Sequence, residues 1–196
     1  MTILTYDFPM YGLVNKAVQG LLIENYGEET WDNIKERANV DVEMFISNES
    51  YKDSLTYDLL VTASEIVNQP ASKLLRLLGY YWITEIAVEH YGSMMDAGGN
   101  SFVEFMKNLP NFHRRVAMIF PNLEPPSFSV LKEEENRLHL LYKSTRGGLE
   151  MFVVGLLEAL AKRHKIEIKI DHSKFKSDQP VEEVNQRLFI ISWEPI

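Results

Sequence analysis

The sequence predicts an α+β fold, in which a helical amino-terminal lobe precedes a small antiparallel sheet with one packed helix. Three observations support this prediction. Apolar residues recur at helical spacing through the first two thirds of the 196-residue chain. The proline-rich segment PNLEPPSF follows at 121–128, and beyond it short segments alternate apolar and polar residues, as strands do. The length suits one domain, or one domain with two lobes.

The amino-terminal elements are predicted from the spacing of their apolar residues. A first helix ends at Gly27, and EETWDNIKERA, which begins at residue 28, forms a second. Apolar residues recur every three or four positions over 51–67 and again over 70–90, which predicts two further helices. The sequence GGN at 98–100 interrupts this pattern.

The next helix carries the first candidate functional residue. Ser101 and Glu104 have the S-x-x-E spacing of a capping box, so the helix begins there, and Pro110 predicts a kink or a restart. An apolar stripe follows, and His113 lies on it, between Leu109 and Val116. The ring nitrogens of an imidazole that points toward a core must either have hydrogen-bond partners or serve a function such as metal ligation.

The final third changes to the strand pattern. SFSVLKEE and NRLHLLYKSTR predict a hairpin, GLEMFVVGLLEALAKRH predicts a helix, and IEIKIDHS and QRLFIISWE predict two more strands. These elements form the expected sheet and its packed helix.

Composition excludes several classes of function. The net charge of −8 argues against a general binder of nucleic acid or of an anionic membrane. The chain has no cysteine, which excludes disulfides, thiolate metal sites and cysteine nucleophiles. The start does not have the pattern of a signal peptide, and MFVVGLLEALA is too short to span a bilayer. We therefore expect a cytoplasmic protein.

His113 has two interpretations on this basis. It is a core or boundary histidine that is hydrogen-bonded to the backbone, or it is a metal or haem ligand, because a neutral imidazole on a rigid helix commonly ligates haem iron. The stripe alone leaves both open. The histidines of this chain lack the H-E-x-x-H spacing of a metal site.

Tyr142, Ser144 and Arg146 form a second candidate site in the sequence YKSTR. If this stretch is a strand, the three side chains lie on one face, in a row of about 13 Å at about 3.3 Å per residue. One interpretation is an exposed strand face. The other is an anion clamp, since arginine and hydroxyl groups bind carboxylates. Haem carries two propionates, so haem would explain both His113 and this row.

These residues resemble the haem–nitric oxide/oxygen binding (H-NOX) domain family. The resemblance runs from Met10 almost to the C-terminus and is carried by MYGLVNKAVQGLLIENYGEETWDNIK, TYDLLVTASEIVNQP, FVEFMKNLPNFHRRV, FPNLEPPSF, YKSTRGGL and VVGLLEALAKR. The family includes stand-alone bacterial sensors, among them a cyanobacterial type, and the haem domain of the soluble guanylate cyclase β subunit. The resemblance implies one domain over 10–194, preceded by an extension over 1–9.

The resemblance assigns a role to each candidate. It implies that His113 is the proximal ligand of haem b iron and that Tyr142, Ser144 and Arg146 bind the propionates. Pro126 matches the proline that presses on the porphyrin and distorts it. Met10, Val14 and Leu156 are further candidates for the haem pocket, the last two as apolar lining residues.

The distal side bears on which gas is bound. Family members that hold O₂ stably have a tyrosine on the helix after the triad, and alignment through GLL places Phe152 there. A shift of one residue places Met151 there. Neither side chain has a hydrogen-bond donor, which favours nitric oxide over O₂. Trp82 matches a distal tryptophan of several members, and its indole N–H would support O₂ if it faced the gas.

The expected function is a gas sensor without catalysis. The resemblance implies that nitric oxide, or carbon monoxide as a second ligand, binds ferrous haem and weakens the bond to His113. Haem relaxation then moves the amino-terminal lobe, which signals to a separate protein such as a histidine kinase or a cyclic-dinucleotide enzyme. Alternatives are an O₂ or redox sensor that uses Trp82, a haem-free helical adaptor, and a peroxidase, for which a distal acid–base pair is missing.

Overall fold

The α+β prediction is confirmed by the computed structural model, which describes residues 9–120, 123–174 and 185–194. Most of the predicted extension, residues 1–8, and Pro121 and Asn122 lie outside these described residues. Within the described ranges, no helix is both long and apolar enough to cross a bilayer.

The amino-terminal lobe is a group of four helices with its own core. Its elements are β1 Pro9–Tyr11, α1 Gly12–Tyr26, α2 Glu28–Arg37, β2 Ser50–Lys52, α3 Asp53–Ile66 and α4 Ala71–Tyr81. The core of this helical lobe consists of apolar side chains from all four helices, among them Leu22, Ile34, Leu59 and Leu74. β1 and β2 pair antiparallel, with Pro9 opposite Lys52. The sequence does not predict this pairing, because three residues are too few to show alternation.

One helical run links this lobe to the rest of the molecule. After α4 the chain continues through a π-helical segment, Trp82–Ala87, into α5 Val88–Asp96. The sequence predicts a single helix here, and no apolar spacing marks the wider turn. Trp82, the first residue of the segment, packs against both the helical-lobe core and a second core, which the carboxy-terminal strands and helices form. π-Helical turns often occur at functional sites.

The helix that carries His113 begins as predicted and does not restart. α6 Phe102–Ile119 begins after Ser101, whose Oγ accepts a hydrogen bond from the Glu104 N–H at 3.2 Å. The Glu104 carboxylate in turn accepts from the Asn100 N–H at 2.8 Å. Of the kink or restart predicted at Pro110, the restart does not occur, because α6 runs through this residue. Pro110 lies on the exposed side, where water can satisfy the carbonyl that loses its partner.

The carboxy-terminal part forms the sheet lobe. Its elements are β3 Ser127–Glu134, β4 Arg137–Ser144, α7 Glu150–Arg163, β5 Ile168–Lys174 and β6 Asn185–Trp193. All neighbouring strands are antiparallel, in the order β3–β4–β6–β5. Leu138, Leu140 and Tyr142 of β4 are buried, and they share one core with residues of β6, α6 and α7. The second core thus lies between the sheet and these two helices.

The two lobes meet where α4 crosses α7, at two reciprocal glycines. A Cβ on Gly79 would lie 2.0 Å from the Phe152 carbonyl oxygen, and one on Gly155 would lie 1.9 Å from the Arg76 carbonyl oxygen. Each helix therefore needs a glycine where it touches the backbone of the other. Arg76 and Glu158 add a two-point salt bridge at 2.8 and 2.6 Å beside the crossing.

Gly155→Ala is expected to lower the free energy of unfolding. The added methyl group meets backbone that cannot rotate away, and overpacking of this kind costs about 1–3 kcal/mol. Gly92→Ala is the matched control, because Gly92 also lies within a helix and a methyl group added there would meet only open space. That control should gain about 1 kcal/mol from helix propensity. Urea unfolding of both variants measures the difference, and equal effects would contradict a tight crossing.

Candidate functional site

His113 lies in the second half of α6, at the end of the second core. Its ring is 5.8 Å from that of Phe128 and 6.0 Å from that of Phe112, measured between centroids. Burial lowers the pKa of the imidazole to about 4, and a hydrogen bond with the backbone of Pro126 opposes this shift. Proline has no N–H, so the Pro126 carbonyl accepts this bond from the imidazole.

The protonation of His113 decides its chemistry. With a pKa of about 4 the ring is neutral at pH 7. One nitrogen donates its hydrogen to Pro126, so the other carries a lone pair. Histidines that ligate metals commonly donate the second ring N–H to a backbone carbonyl in this way. The backbone contact fits a structural histidine as well, and the neutral, oriented ring is what a ligand requires.

Tyr142 and Ser144 lie side by side on the inner face of β4. Their exposed fractions are 2% and 7%, so the interpretation as an exposed strand face is wrong for both. Burial raises the pKa of the Tyr142 phenol, so it is protonated at pH 7. The Ser144 hydroxyl group acts to lower the pKa of the Tyr142 phenol, but burial is the larger effect.

Arg146 reaches the same region from outside the strand. β4 ends at Ser144, so the straight row expected of Tyr142, Ser144 and Arg146 is wrong. The Ser144 Oγ instead accepts a hydrogen bond from the Arg146 N–H at 3.0 Å, a local turn that serine hydroxyls favour. A turn thus replaces the extended strand and keeps the three side chains together.

The guanidinium of Arg146 is largely buried and held by the helical lobe. Its Nε donates to the Asp53 carboxylate at 2.8 Å, and each of the two side chains is 11% exposed. Its Nη1 donates to the Glu124 carbonyl at 3.3 Å. A buried ion pair adds little net stability, because desolvation offsets the attraction. Its effect here is to fix where the positive charge lies.

Sequence reasoning missed two residues of this site, Asp53 and Tyr57, which lie one helical turn apart on α3. The Tyr57 hydroxyl donates to the Gly147 carbonyl at 3.2 Å. Burial, followed by the nearby charge of Asp53, raises the pKa of Tyr57 to about 12. An acidic residue at the start of a helix usually indicates only a favourable interaction with the helix dipole. Nothing in the sequence around Asp53 distinguishes it from such an ordinary acidic residue at the start of a helix.

A short series of rings connects His113 to the triad. Phe128 of β3 stands opposite Tyr142 of β4 in the sheet register, and their ring centroids are 5.3 Å apart. His113 packs on Phe128 from α6. The sheet therefore brings the candidate ligand and the candidate clamp, which are far apart in sequence, to one end of the second core.

The candidate distal residues divide between the two cores. Phe152 packs against the core of the helical lobe, Met151 and Leu156 pack against the core of the sheet lobe, and Trp82 contacts both. Val14 is half-buried in the first turn of α1, and Met10 pairs with Tyr51 in the β1–β2 sheet. The structure thus directs the neighbouring side chains of Met151 and Phe152 to different cores, and Trp82 is the candidate that contacts both.

The chemistry of this donor set fits haem. A neutral imidazole oriented by a carbonyl suits iron, and a buried phenol, hydroxyl and guanidinium suit two carboxylates. Among the described residues, no cluster of three or more His, Cys, Asp or Glu could hold a metal ion with protein ligands alone.

Comparisons with known proteins agree with this fit. Soluble guanylate cyclase gcy-31 of Caenorhabditis elegans is 26% identical over 180 residues, which cover 91% of this chain and 26% of that protein. Human guanylate cyclase soluble subunit beta-2 is 35% identical over 72 residues, which cover 37% of this chain and 12% of that protein. The chain therefore spans about a quarter or less of the length of these curated relatives.

Solved structures share the fold. The Fe(II) unliganded H-NOX protein from K. algicida has a TM-score of 0.82 at 22% identity, with 95% of this chain and 98% of that chain covered. The S. oneidensis H-NOX protein in the Fe(II)NO ligation state has a TM-score of 0.81 at 18% identity, with coverage of 95% and 100%. The model of the haem-NO-binding family matches residues 11–172, and the chain therefore belongs to that family.

Proposed function

We propose that this chain is a cytoplasmic haem-based sensor of nitric oxide, without catalysis of its own, that signals to a separate protein. The observation that carries the proposal is the common location of a neutral, oriented His113 and the buried triad, joined through Phe128. Membership of the haem-NO-binding family supports it. The similar S. oneidensis protein, which was solved in an Fe(II)NO state, supports the choice of gas.

The proposal gives each residue a role in holding haem b. His113 would ligate the iron through the nitrogen that does not donate to Pro126. Tyr142, Ser144 and Arg146 would hold the propionates, and Pro126 would contact the macrocycle, since its carbonyl already accepts from the ligand. When bound, ferrous haem would supply an iron that binds a diatomic gas. The unit that binds haem is proposed to be the domain at 10–194.

Gas selectivity is assigned to Phe152 and Trp82. Phe152 offers no donor, and a polarised O₂ gains more from a donor than nitric oxide does. Both residues pack against the helical-lobe core, whereas Met151 does not, so we favour Phe152 over Met151 as the distal residue. Val14 and Leu156, with Met10, are proposed to complete the pocket. Carbon monoxide, which is also weakly polar, is the second expected ligand.

Signalling is assigned to a change in how the two lobes lie against each other. His113 and the triad belong to the sheet lobe, whereas Asp53 and Tyr57 belong to the helical lobe and contact Arg146 and its neighbour. A gas can shift the equilibrium between two lobe arrangements only to the extent that it binds one of them more tightly. A tenfold difference in affinity is worth about 1.4 kcal/mol. A histidine kinase or cyclic-dinucleotide enzyme is the partner class we propose from the family resemblance.

The visible spectrum of the purified protein tests the proposed function. We expect a haem band in the Fe(II) protein under argon, a shift on addition of nitric oxide, and no stable complex in air. A stable complex in air would favour the O₂ sensor and direct attention to Trp82. If no haem band appears even after haem is added, the proposal fails and the haem-free adaptor replaces it.

His113→Gly is expected to abolish proximal ligation while the triad still retains some haem. The Fe(II) spectrum should change and should recover when free imidazole fills the space, because imidazole replaces the lost ring. His90→Gly removes an exposed histidine from α5 and serves as the matched control. An unchanged Fe(II) spectrum in His113→Gly would show that another residue ligates the iron.

Phe152→Tyr is expected to slow O₂ release about fivefold, because one added hydrogen bond is worth about 1 kcal/mol. Met151→Tyr adds the same hydroxyl one position earlier on α7, and it should leave O₂ release unchanged. Flash photolysis or rapid mixing of the Fe(II) proteins measures both rates. The reverse result would place Met151, and not Phe152, beside the gas.

A further inference from the structure

Arg146 is bracketed by two contacts from the same face of α3. Asp53 accepts a hydrogen bond from its Nε at 2.8 Å, and Tyr57, one turn later, donates to the carbonyl of the next residue, Gly147, at 3.2 Å. Residues four apart on a helix face the same way, so both contacts come from one surface. One fixes the side chain, and the other fixes the backbone that follows it.

The surface that makes these contacts is itself anchored. Between them in sequence, the Thr56 hydroxyl donates to the Asn15 side-chain oxygen of α1 at 2.6 Å. Thr56 is 3% exposed and Asn15 is not exposed at all. Leu59 and Leu60 bury the next turn in the core of the helical lobe. α3 therefore offers a rigid platform, and rigid supports are what keep a binding residue in its working geometry.

The backbone that Tyr57 holds would otherwise have considerable freedom. After Ser144 the chain leaves the strand ladder, and Gly147 and Gly148 follow Arg146 before α7 begins. Gly148 has a φ of 78°, in the region that favours glycine. Two successive glycines allow many backbone conformations. Holding the Gly147 carbonyl in place therefore restricts the backbone next to Arg146, and with it the direction of the Arg146 side chain.

We propose that Tyr57 is a positioning residue for the carboxylate clamp: its hydroxyl fixes the Gly147 carbonyl and thereby aims the Arg146 guanidinium at the carboxylates of the bound group. This inference rests on the proposed function, because those carboxylates are taken to be the haem propionates. Tyr57 touches neither haem nor gas in this role and acts only through Arg146. The phenol remains a donor throughout the physiological pH range, since its pKa is about 12.

A purely structural role for Tyr57 makes a different prediction. Tyr57 lies between the lobes, so loss of its hydroxyl could simply loosen the molecule and release any bound porphyrin faster. A positioning role acts through the propionates alone. Iron protoporphyrin IX dimethyl ester has the same macrocycle and iron but no carboxylate charge, so it separates these two roles.

The experiment measures transfer of each haem from the Fe(III) holoprotein to excess apomyoglobin. Tyr57→Phe keeps the ring and removes one oxygen atom, so the fold should be retained. We expect protohaem to leave three- to tenfold faster than from the unsubstituted protein, the effect of losing one hydrogen bond. The dimethyl ester should leave both proteins at the same rate. Arg146→Ala supplies the upper limit: its transfer rate should rise further for protohaem and should change little for the dimethyl ester.

Tyr51→Phe is the matched control. The Tyr51 hydroxyl accepts a hydrogen bond from the Ile46 N–H at 3.0 Å, so this variant also loses one phenol-to-backbone contact, away from Arg146. Its urea midpoint should fall about as far as that of Tyr57→Phe, while its protohaem transfer rate should not change. This comparison separates loss of stability from loss of positioning.

Each other outcome overturns the inference in a distinct way. If Tyr57→Phe releases both haems faster by the same factor, Tyr57 is structural only. If it releases neither faster, the contact with Gly147 does not influence the clamp. In both cases the unsubstituted protein still binds haem and gas, so the proposed function stands. If the unsubstituted protein binds no haem, the proposed function fails, and this inference fails with it.

Discussion

The crossing of α4 and α7 is the constraint on which the rest of the arrangement depends. Gly79 and Gly155 bring the two backbones into direct contact, and α4 belongs to the helical-lobe core whereas α7 belongs to the sheet-lobe core. The adjacent Arg76–Glu158 salt bridge is exposed on the arginine side, so it adds little stability. Close backbone contact and buried apolar area therefore hold the lobes at this edge.

At another point between the lobes the contacts are polar. Asp53 and Tyr57 of α3 meet Arg146 and Gly147 through one ion pair and one hydrogen bond. Such contacts depend on direction and charge, so a new anion near Arg146 changes them more readily than it changes a packed glycine crossing. The molecule thus joins its lobes by close backbone packing in one place and by polar contacts in another.

Much of the candidate site was predictable from sequence because its residues lie on regular elements. The stripe of α6 gave His113 an inward direction, and alternation along β4 put Tyr142 and Ser144 on one face. Arg146 was different, since the strand ends two residues earlier and a serine-bonded turn directs it. Asp53 and Tyr57 were missed because their partners are 93 and 90 residues away in sequence.

The sequence by itself determined the class of fold, most of the helices and strands, the absence of cysteine ligands and the resemblance that proposed a haem ligand and a propionate clamp. These follow from local spacing and from residue chemistry, which need no partner across the molecule. Only the tertiary structure decided that His113 meets the triad through Phe128 and that burial keeps its imidazole neutral. It also decided that α3 supplies the Asp53 carboxylate to Arg146 and the Tyr57 phenol to the Gly147 carbonyl. The physical reason is that desolvation and hydrogen bonding depend on what surrounds a group, and those surroundings come from distant parts of the chain.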